Sequence, residues 1–294
     1  MARWVGRPTA HGFKWRCSTN TFAAFPGMVS KLISVLVGPV RDGLARGLVR
    51  AGLKPNHITV LGMLCTVGAG VAIAAGREHW RPWAVSLMVA AGACDLLDGA
   101  MASVGGLRTP FGAVLDSTCD RVGDAALYLG MAFYYLLRPE EWGGASPNVT
   151  LAVLAGAGLT WAYLISYIRS RAANEGAEAG GGFWQRPERV VTIILGLGFH
   201  HLPTAVWILG LAPIATVAHR LWRARRTLAA RAAGGGEAAP GDGPAGLLGI
   251  LLFRWRRGSV PFDIQAGATI AALVFWDLPP IDPLRESLAR LIGA

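Results

Sequence analysis

The sequence predicts an all-α, polytopic membrane protein with six transmembrane helices and an N-terminal amphipathic juxtamembrane helix. Of its 294 residues, 53% are hydrophobic and only 16% are charged, and the mean hydropathy is +0.41. Such a composition is not typical of a soluble domain. Apolar runs recur along the chain, and a helix needs about 20 such residues to cross a bilayer. The net charge of +10 is dispersed at the ends of these runs, which favours contact with anionic lipid headgroups over nucleic acid.

The chain divides into three regions. Residues 1–27 are basic and lack clear periodicity, so they are predicted to form a disordered leader, and Met28 would be an alternative start. Residues 28–232 form the predicted membrane domain. Beyond it, a stretch rich in glycine and proline predicts a flexible linker, and residues 233–294 are interpreted as a linker and a tail of unknown role.

Helical periodicity defines the elements of the membrane domain. Apolar residues spaced by three and four within 30–51 predict an amphipathic helix, either on the membrane surface or packed on the spans. The run from Pro55 to Thr59 signals the start of the next helix, with Asn56 or Thr59 as the cap. The six predicted spans are 57–75, 82–104, 110–137, 149–172, 188–201 and 203–224. The fifth is short, so its boundary with the sixth is the least well defined.

The basic residues also predict an orientation. Fourteen of them fall on one side of the predicted membrane, in 41–54, at 108, in 169–189 and in 220–231. The other side has three, which are Arg77, Arg81 and Arg138. Because cytoplasmic loops carry the excess of Lys and Arg, the first side is predicted to be cytoplasmic.

Four carboxylates stand in otherwise apolar sequence. Asp95 and Asp98 are three residues apart, and Asp116 and Asp120 are four apart, so each pair shares one face of a helix. The glycines and proline between residues 105 and 110 predict a turn that brings the two faces together. Buried carboxylates repel one another and lose hydration unless cations compensate. Oxygen ligands favour a hard ion, Mg²⁺ or Mn²⁺, although helix-capping or ion-paired aspartates are the alternative.

The acidic stretch resembles the signature of the CDP-alcohol phosphatidyltransferases, D-x-x-D-G-x-x-A-R followed by eight residues and G-x-x-x-D-x-x-x-D. Seven positions match it: Asp95, Asp98, Gly99, Ala102, Gly112, Asp116 and Asp120. Ser103 departs from it, since the family has arginine there. The resemblance covers roughly residues 30–232. It implies six spans, a homodimer, and a multi-pass enzyme of the bacterial cell membrane whose active site faces the cytoplasm.

Within the family, the chain looks like the actinobacterial phosphatidylinositol phosphate synthases, both in the run 98–121 and in the Ser166–Arg171 and Arg186–Arg189 segments. That resemblance implies transfer of a phosphatidyl group from CDP-diacylglycerol to inositol 1-phosphate, with two Mg²⁺ or Mn²⁺ ions. The metal ligands would be Asp95, Asp98, Asp116 and Asp120. The CDP-lipid would meet Asn56, Thr59, Asp95, Gly99, Ala102, Ser103, Arg108 and Gly112, with Arg108 standing in for the arginine missing at 103. The acceptor phosphate would meet Ser166, Arg169, Arg171, Arg189 and Arg220.

The positions of the arginines, considered without the resemblance, also favour a phosphate-binding site. Arg169 and Arg171 end one predicted span and Arg186 and Arg189 begin the next, and guanidinium groups suit phosphate oxygens. They would otherwise mark only the cytoplasmic boundary. Asp120, last in the motif, is the predicted base for the acceptor hydroxyl.

Three alternatives remain at this point. Glycerol 3-phosphate would also suit the arginines as acceptor, giving phosphatidylglycerol phosphate. A divalent-cation transporter could use the four carboxylates, although the motif glycines would then have no explanation. An inactive homologue would account for Ser103.

Overall fold

The computed structural model describes residues 3–9, 12–18, 28–76, 79–144, 146–177, 179–233, 260–276, 278 and 281–284. Within these ranges the helices are α1 (Met28–Arg50), α2 (Pro55–Ala75), α3 (Trp80–Val104), α4 (Pro110–Leu137), α5 (Val149–Asn174), α6 (Arg186–Gly198), α7 (Leu202–Leu211), α8 (Pro213–Ala232) and α9 (Val260–Phe275). A 3-10 turn spans Pro139–Trp142. The predicted helical class is therefore confirmed from residue 28 onward.

Within residues 1–27, predicted to form a disordered leader, the structure describes residues 3–9 and 12–18. Strands β1 (Arg3–Thr9) and β2 (Gly12–Ser18) pair antiparallel, with Arg3 opposite Ser18 and Thr9 opposite Gly12. Helical periodicity is absent here, but β2 alternates apolar and polar residues from Phe13 to Ser18. An alternation with a period of two is the signal of a strand, and it accounts for β2.

Helices α2, α3 and α4 pack together and carry the acidic motif. The backbones of α2 and α4 nearly touch, since a Cβ on Gly70 would lie 2.3 Å from the carbonyl oxygen of Ala126. Lys54 precedes α2 as its N-cap, so neither Asn56 nor Thr59 caps the helix as predicted. Pro55 occupies the first turn, where its missing N–H costs nothing, and this moves the helix start upstream of both.

The turn between α3 and α4 sets the position of the acidic residues. Gly106 adopts φ +63°, a left-handed conformation that glycine tolerates without steric cost. The hydroxyl of Thr109 then accepts a hydrogen bond from the Gly112 amide at 2.9 Å and caps α4. The predicted helical hairpin is thus formed by a short, locally specified connection.

The remaining helices complete the bundle around one apolar core. Helix α5 packs on α4, α7 and α8, and α6 packs on α3 and α7. The core centres on α4, where Leu127, Tyr128 and Met131 are buried with Leu151 of α5 and Ile193 of α6. Helix α1 packs on α3 through Ala45, while its Val40 and Leu44 stay exposed.

Four helical segments within the described residues are long and apolar enough to cross a membrane: Pro55–Ala75, Trp80–Val104, Val149–Asn174 and Leu202–Ala232. The predicted spans 110–137 and 188–201 do not meet that criterion. Helix α4 has 28 residues, about 42 Å at 1.5 Å per residue, but its charged residues lower its hydropathy. Helix α6 has 13 residues and reaches only about 20 Å.

The C-terminal segment is not detached from the bundle. Helix α9 contacts α6 and α7, and the hydroxyl of Thr204 on α7 donates to the carbonyl of Trp276 at 2.8 Å. Asp282 then reaches the start of α5, where it accepts hydrogen bonds from the Val149 and Thr150 amides, both at 2.9 Å. No pattern in the sequence predicts these contacts.

Candidate active site

Three of the four predicted metal ligands converge between α3 and α4. Carboxylate oxygens of Asp95, Asp116 and Asp120 all lie within 4.8 Å of one another. Asp95 is exposed, Asp116 is half-buried and Asp120 is buried. Oxygen donors at this spacing fit a hard divalent cation, so the residues present suit the metal that the sequence predicts.

Asp98 lies on the wall of the same pocket but is not one of these three. Its carboxylate accepts a hydrogen bond from the Thr59 hydroxyl of α2 at 2.5 Å, and its side chain is buried. Asn56, also at the start of α2, places its Oδ1 3.2 Å from where a Cβ on Gly112 would stand. The start of α2 therefore borders the acidic hairpin, and the structure brings Asn56 and Thr59 to the predicted CDP-lipid site.

The other predicted CDP-lipid residues surround the end of α3 and the following turn. Gly99 is exposed, and a Cβ there would meet no heavy atom within 4 Å. Packing of helices therefore does not require a glycine at this position. Ala102 and Arg108 are half-buried and Ser103 is exposed.

An arginine that was not among the predicted ligand-binding residues enters the acidic cluster. The Nη1 atom of Arg186, the first residue of α6, lies 2.9 Å from Asp120 Oδ1 and 3.7 Å from Asp95 Oδ1. The sequence placed Arg186 among the arginines at the ends of two spans, whose guanidiniums suit phosphate oxygens or mark the cytoplasmic boundary. Its contact with residues 66 and 91 positions earlier is made by the packing of α6 against α3.

Arg189, a predicted contact of the acceptor phosphate, is buried and paired with a carboxylate in the structure. Arg189 is only 2% exposed, and its Nη2 lies 2.6 Å from Asp124 Oδ2. It also donates to the Trp184 carbonyl at 3.2 Å. Burial forces this guanidinium to take a carboxylate partner. Sequence reasoning missed Asp124, although it stands one helical turn after Asp120 and so shares its face.

The remaining predicted acceptor residues are only partly assembled. Arg171 is exposed and pairs with Glu175 one turn along α5 at 2.8 Å. Arg220 is buried and donates to the backbone carbonyls of Gly181 and Ile165. Three further guanidiniums, those of Arg169, Arg189 and Arg223, are near enough to act on it electrostatically, so a positive region forms around Arg220. Ser166 is half-buried on α5.

The four motif aspartates and Arg186 line an open pocket, whose empty space of about 270 Å³ includes open solvent. Carboxylates from α3 and α4 form one side of it, Thr59 and Thr66 of α2 another, and Arg186 of α6 a third. A wall with both anionic and cationic groups suits a ligand that carries phosphates together with divalent cations.

Fold and site together define a polytopic helical membrane protein with a carboxylate cluster at a helical hairpin and arginines beside it. The family model CDP-alcohol phosphatidyltransferase matches residues 53–222. The chain belongs to the CDP-alcohol phosphatidyltransferase family and is an enzyme of that class, as the motif predicts.

Relatives within the family share one name. The phosphatidylinositol phosphate synthase of Mycolicibacterium smegmatis is 37% identical over 192 residues, which cover 62% of this chain and 82% of the relative. The phosphatidylinositol phosphate synthase of Streptomyces avermitilis is 32% identical over 257 residues, which cover 82% of this chain and the whole relative. The resemblance stated from the motif is thereby confirmed.

Solved structures of one relative show a similar fold. The phosphatidylinositol phosphate synthase of Mycobacterium tuberculosis with CDP-DAG bound is 31% identical, has a TM-score of 0.57, and covers 63% of this chain and 94% of its own. The same protein in complex with manganese and citrate also gives a TM-score of 0.57 and covers 88% of that chain. A divalent metal in that relative agrees with the Asp95, Asp116 and Asp120 cluster of this chain.

Proposed function

We propose that this enzyme transfers the phosphatidyl group of CDP-diacylglycerol to inositol 1-phosphate, giving phosphatidylinositol phosphate and CMP. The observation that carries the proposal is the convergence of the Asp95, Asp116 and Asp120 oxygens within 4.8 Å, with arginines beside them. The names of the relatives, and the CDP-DAG bound in one of their structures, support the donor and the acceptor.

Asp95, Asp116 and Asp120 would hold Mg²⁺ or Mn²⁺, with Asp98 beside them on the pocket wall. When bound, two such ions would neutralise the charge of the diphosphate and of the departing CMP. Thr59 holds Asp98 in place by its 2.5 Å hydrogen bond. The small residues Gly99, Ala102 and Gly112 leave room for the nucleotide near the hairpin.

Asp120 is the proposed base. It is buried and lines the pocket, where its carboxylate would accept the proton of the inositol hydroxyl. The hydroxyl oxygen would form a bond to the phosphorus of the phosphatidyl group, and the bond from that phosphorus to the CMP oxygen would break. Arg186, 2.9 Å from Asp120, would keep the base oriented before the acceptor enters.

The acceptor phosphate would bind on the arginine side of the pocket. The proposed contacts are Ser166, Arg169, Arg171 and Arg220. Arg189 would not touch the phosphate, because it is paired with Asp124. Arg171 would exchange its exposed partner Glu175 for the phosphate, a small cost because exposed pairs contribute less than about 1 kcal/mol.

We further propose the membrane arrangement. Helices α4 and α6 would complete six spans with the four helical segments that meet the length and hydropathy criterion, and α1 would lie at the membrane surface through exposed Val40 and Leu44. The hairpin end of the bundle, which carries the excess of basic residues, would face the cytoplasm. The enzyme would act as a homodimer.

A panel of acceptors tests the function. Purified enzyme with CDP-diacylglycerol and Mg²⁺ or Mn²⁺ should release CMP with inositol 1-phosphate far faster than with glycerol 3-phosphate, and chelation of the metal should abolish turnover. Mass spectrometry of the lipid product identifies the headgroup. Faster turnover with glycerol 3-phosphate would mean that this compound, and not inositol 1-phosphate, is the acceptor. Turnover with neither acceptor would refute the synthase assignment, and metal flux into liposomes without CDP-lipid would favour a transporter.

A further inference from the structure

One buried carboxylate close to the site is not a proposed contact of the substrates or of the metal. Asp124 of α4 is 6% exposed and stands one helical turn beyond Asp120, on the same face. An anion in such a place is costly unless cations partner it. Its partners therefore indicate what it does.

Asp124 contacts both arginines at the start of α6. Its Oδ2 lies 2.6 Å from Arg189 Nη2, and its Oδ1 lies 3.8 Å from Arg186 Nε. The other end of the Arg186 guanidinium, Nη1, lies 2.9 Å from Asp120 and 3.7 Å from Asp95. Arg186 is thus shared between Asp124 on one side and the carboxylates of the metal cluster on the other.

Helices α4 and α6 each present two charged residues about one helical turn apart. Asp120 and Asp124 are four residues apart on α4, and Arg186 and Arg189 are three apart on α6, so each pair shares one face of its helix. The inner pair, Asp124 and Arg189, is buried and fixes the first turn of α6 against α4. The outer residue, Arg186, has 23% of its side chain exposed and can move within the pocket.

We propose that Asp124 is a positioning residue that gives Arg186 a second carboxylate partner, so that Asp120 and Asp95 can exchange this guanidinium for the divalent ion. The proposal rests on the metal site of the proposed function. A guanidinium and a metal ion compete for the same carboxylate oxygens, because both are cations. A second carboxylate behind Arg186 shifts that competition toward the metal.

The experiment measures Mn²⁺ binding to the purified full-length protein in detergent by electron paramagnetic resonance, without substrates. The test variant is Asp124→Asn combined with Arg189→Gln. It removes one negative and one positive charge, so the net charge is kept and no unpartnered guanidinium is left buried. With Asp124 gone, Arg186 should have only Asp120 and Asp95 as partners and leave them less readily, and the Kd for Mn²⁺ should rise about five-fold, a coupling typical of contacting residues.

The same double change is then made in an Arg186→Gln background. There it should alter the Kd for Mn²⁺ less than about two-fold, because the residue through which Asp124 acts is absent. Asp42→Asn, which removes a carboxylate paired at 2.7 Å with Arg41 on α1, is the matched control and should leave the Kd unchanged. Thermal unfolding of each variant verifies that it is folded.

Two results would overturn the proposal. One is an unchanged Kd in the double variant. The other is an equal rise in both backgrounds, which would show a general effect of the buried pair on the bundle. If the unmodified protein binds no Mn²⁺, both the proposed metal site and the proposed role of Asp124 are wrong. If it binds Mn²⁺ but does not use inositol 1-phosphate, only the proposed acceptor is wrong.

Discussion

Each aspartate of the motif has its own environment, although the sequence presents the four alike. Asp95 is exposed, Asp98 is tied to Thr59, Asp116 is half-buried, and Asp120 is buried beside Arg186. The predicted set of four ligands is thus a compact group of three with a fourth on the pocket wall. These differences separate a candidate base from residues that only hold metal.

Replacing Asp120 by asparagine should lower kcat at least about 100-fold, because a general base contributes a factor of this order. The side chain keeps its size, so the melting temperature should change little. Turnover of CDP-diacylglycerol to CMP is the measurement, made at saturating metal so that a weaker metal site does not limit the rate.

Thr118→Ala is the control for this substitution. Thr118 is exposed on the same helix, and its hydroxyl donates only to the Val114 carbonyl one turn earlier. The Thr118→Ala enzyme should retain full activity. An Asp120→Asn enzyme with more than about a tenth of normal kcat would exclude Asp120 as the base.

At the scale of elements, α5 begins with two sources of capping. The Asn148 side chain accepts from the Leu151 amide at 2.9 Å, as the local sequence favours. Asp282, more than 130 residues away, accepts from the Val149 and Thr150 amides and from the Thr150 hydroxyl. A carboxylate at a helix N-terminus also opposes the positive end of the helix dipole. The tail therefore contributes to the stability of a helix that carries Ser166, Arg169 and Arg171.

Asp282→Ala should lower the free energy of unfolding by about 1–2 kcal/mol, the range for loss of an N-terminal cap. Thermal unfolding of the purified protein in detergent measures the change. Asp282→Asn keeps one acceptor oxygen and should lose less. Equal stability of the alanine variant and the unmodified protein would mean that the tail adds nothing to the start of α5.

At the scale of the whole molecule, two ends of the bundle differ in chemistry. One end holds the acidic hairpin and the arginines of α5, α6 and α8. Helix α4 then runs to Leu137, so the start of α5 with Asp282 lies at the opposite end. Trp80, Tyr134, Tyr135 and Trp142 cluster toward that end, with neighbouring ring centroids 4.9 to 6.1 Å apart. Trp80, Tyr134 and Tyr135 are buried in the core, so the difference between the two ends lies in their charged residues.

This polarity predicts the orientation in cells. In a variant whose native cysteines are replaced, a cysteine at Glu140, exposed before α5, should react with an impermeant maleimide added outside intact cells. A cysteine at Arg225, exposed on α8, should react only after permeabilisation. The reverse pattern would place the active site outside the cytoplasm.

The sequence by itself determined what depends on local spacing. Hydropathy gave the membrane class, the turn at Gly105–Pro110 gave the hairpin, and the intervals within each aspartate pair gave a shared helix face. These properties follow from residues a few positions apart, so they can be derived without knowing how the helices pack. The pair of strands at residues 3–9 and 12–18 was also open to this reasoning but was missed, because its signal has a period of two.

Only the tertiary structure decided which charged groups meet. Arg189 pairs with Asp124 and Arg186 reaches Asp120, although the spacing of the arginines indicated a phosphate pocket equally for both. The choice depends on how α6 lies against α4, more than 60 residues earlier, and on burial, which compels one guanidinium to take a permanent partner and leaves the other accessible. The contact of Asp282 with the start of α5 also depends on tertiary packing, since no local pattern connects a tail with a helix that begins more than 130 residues before it.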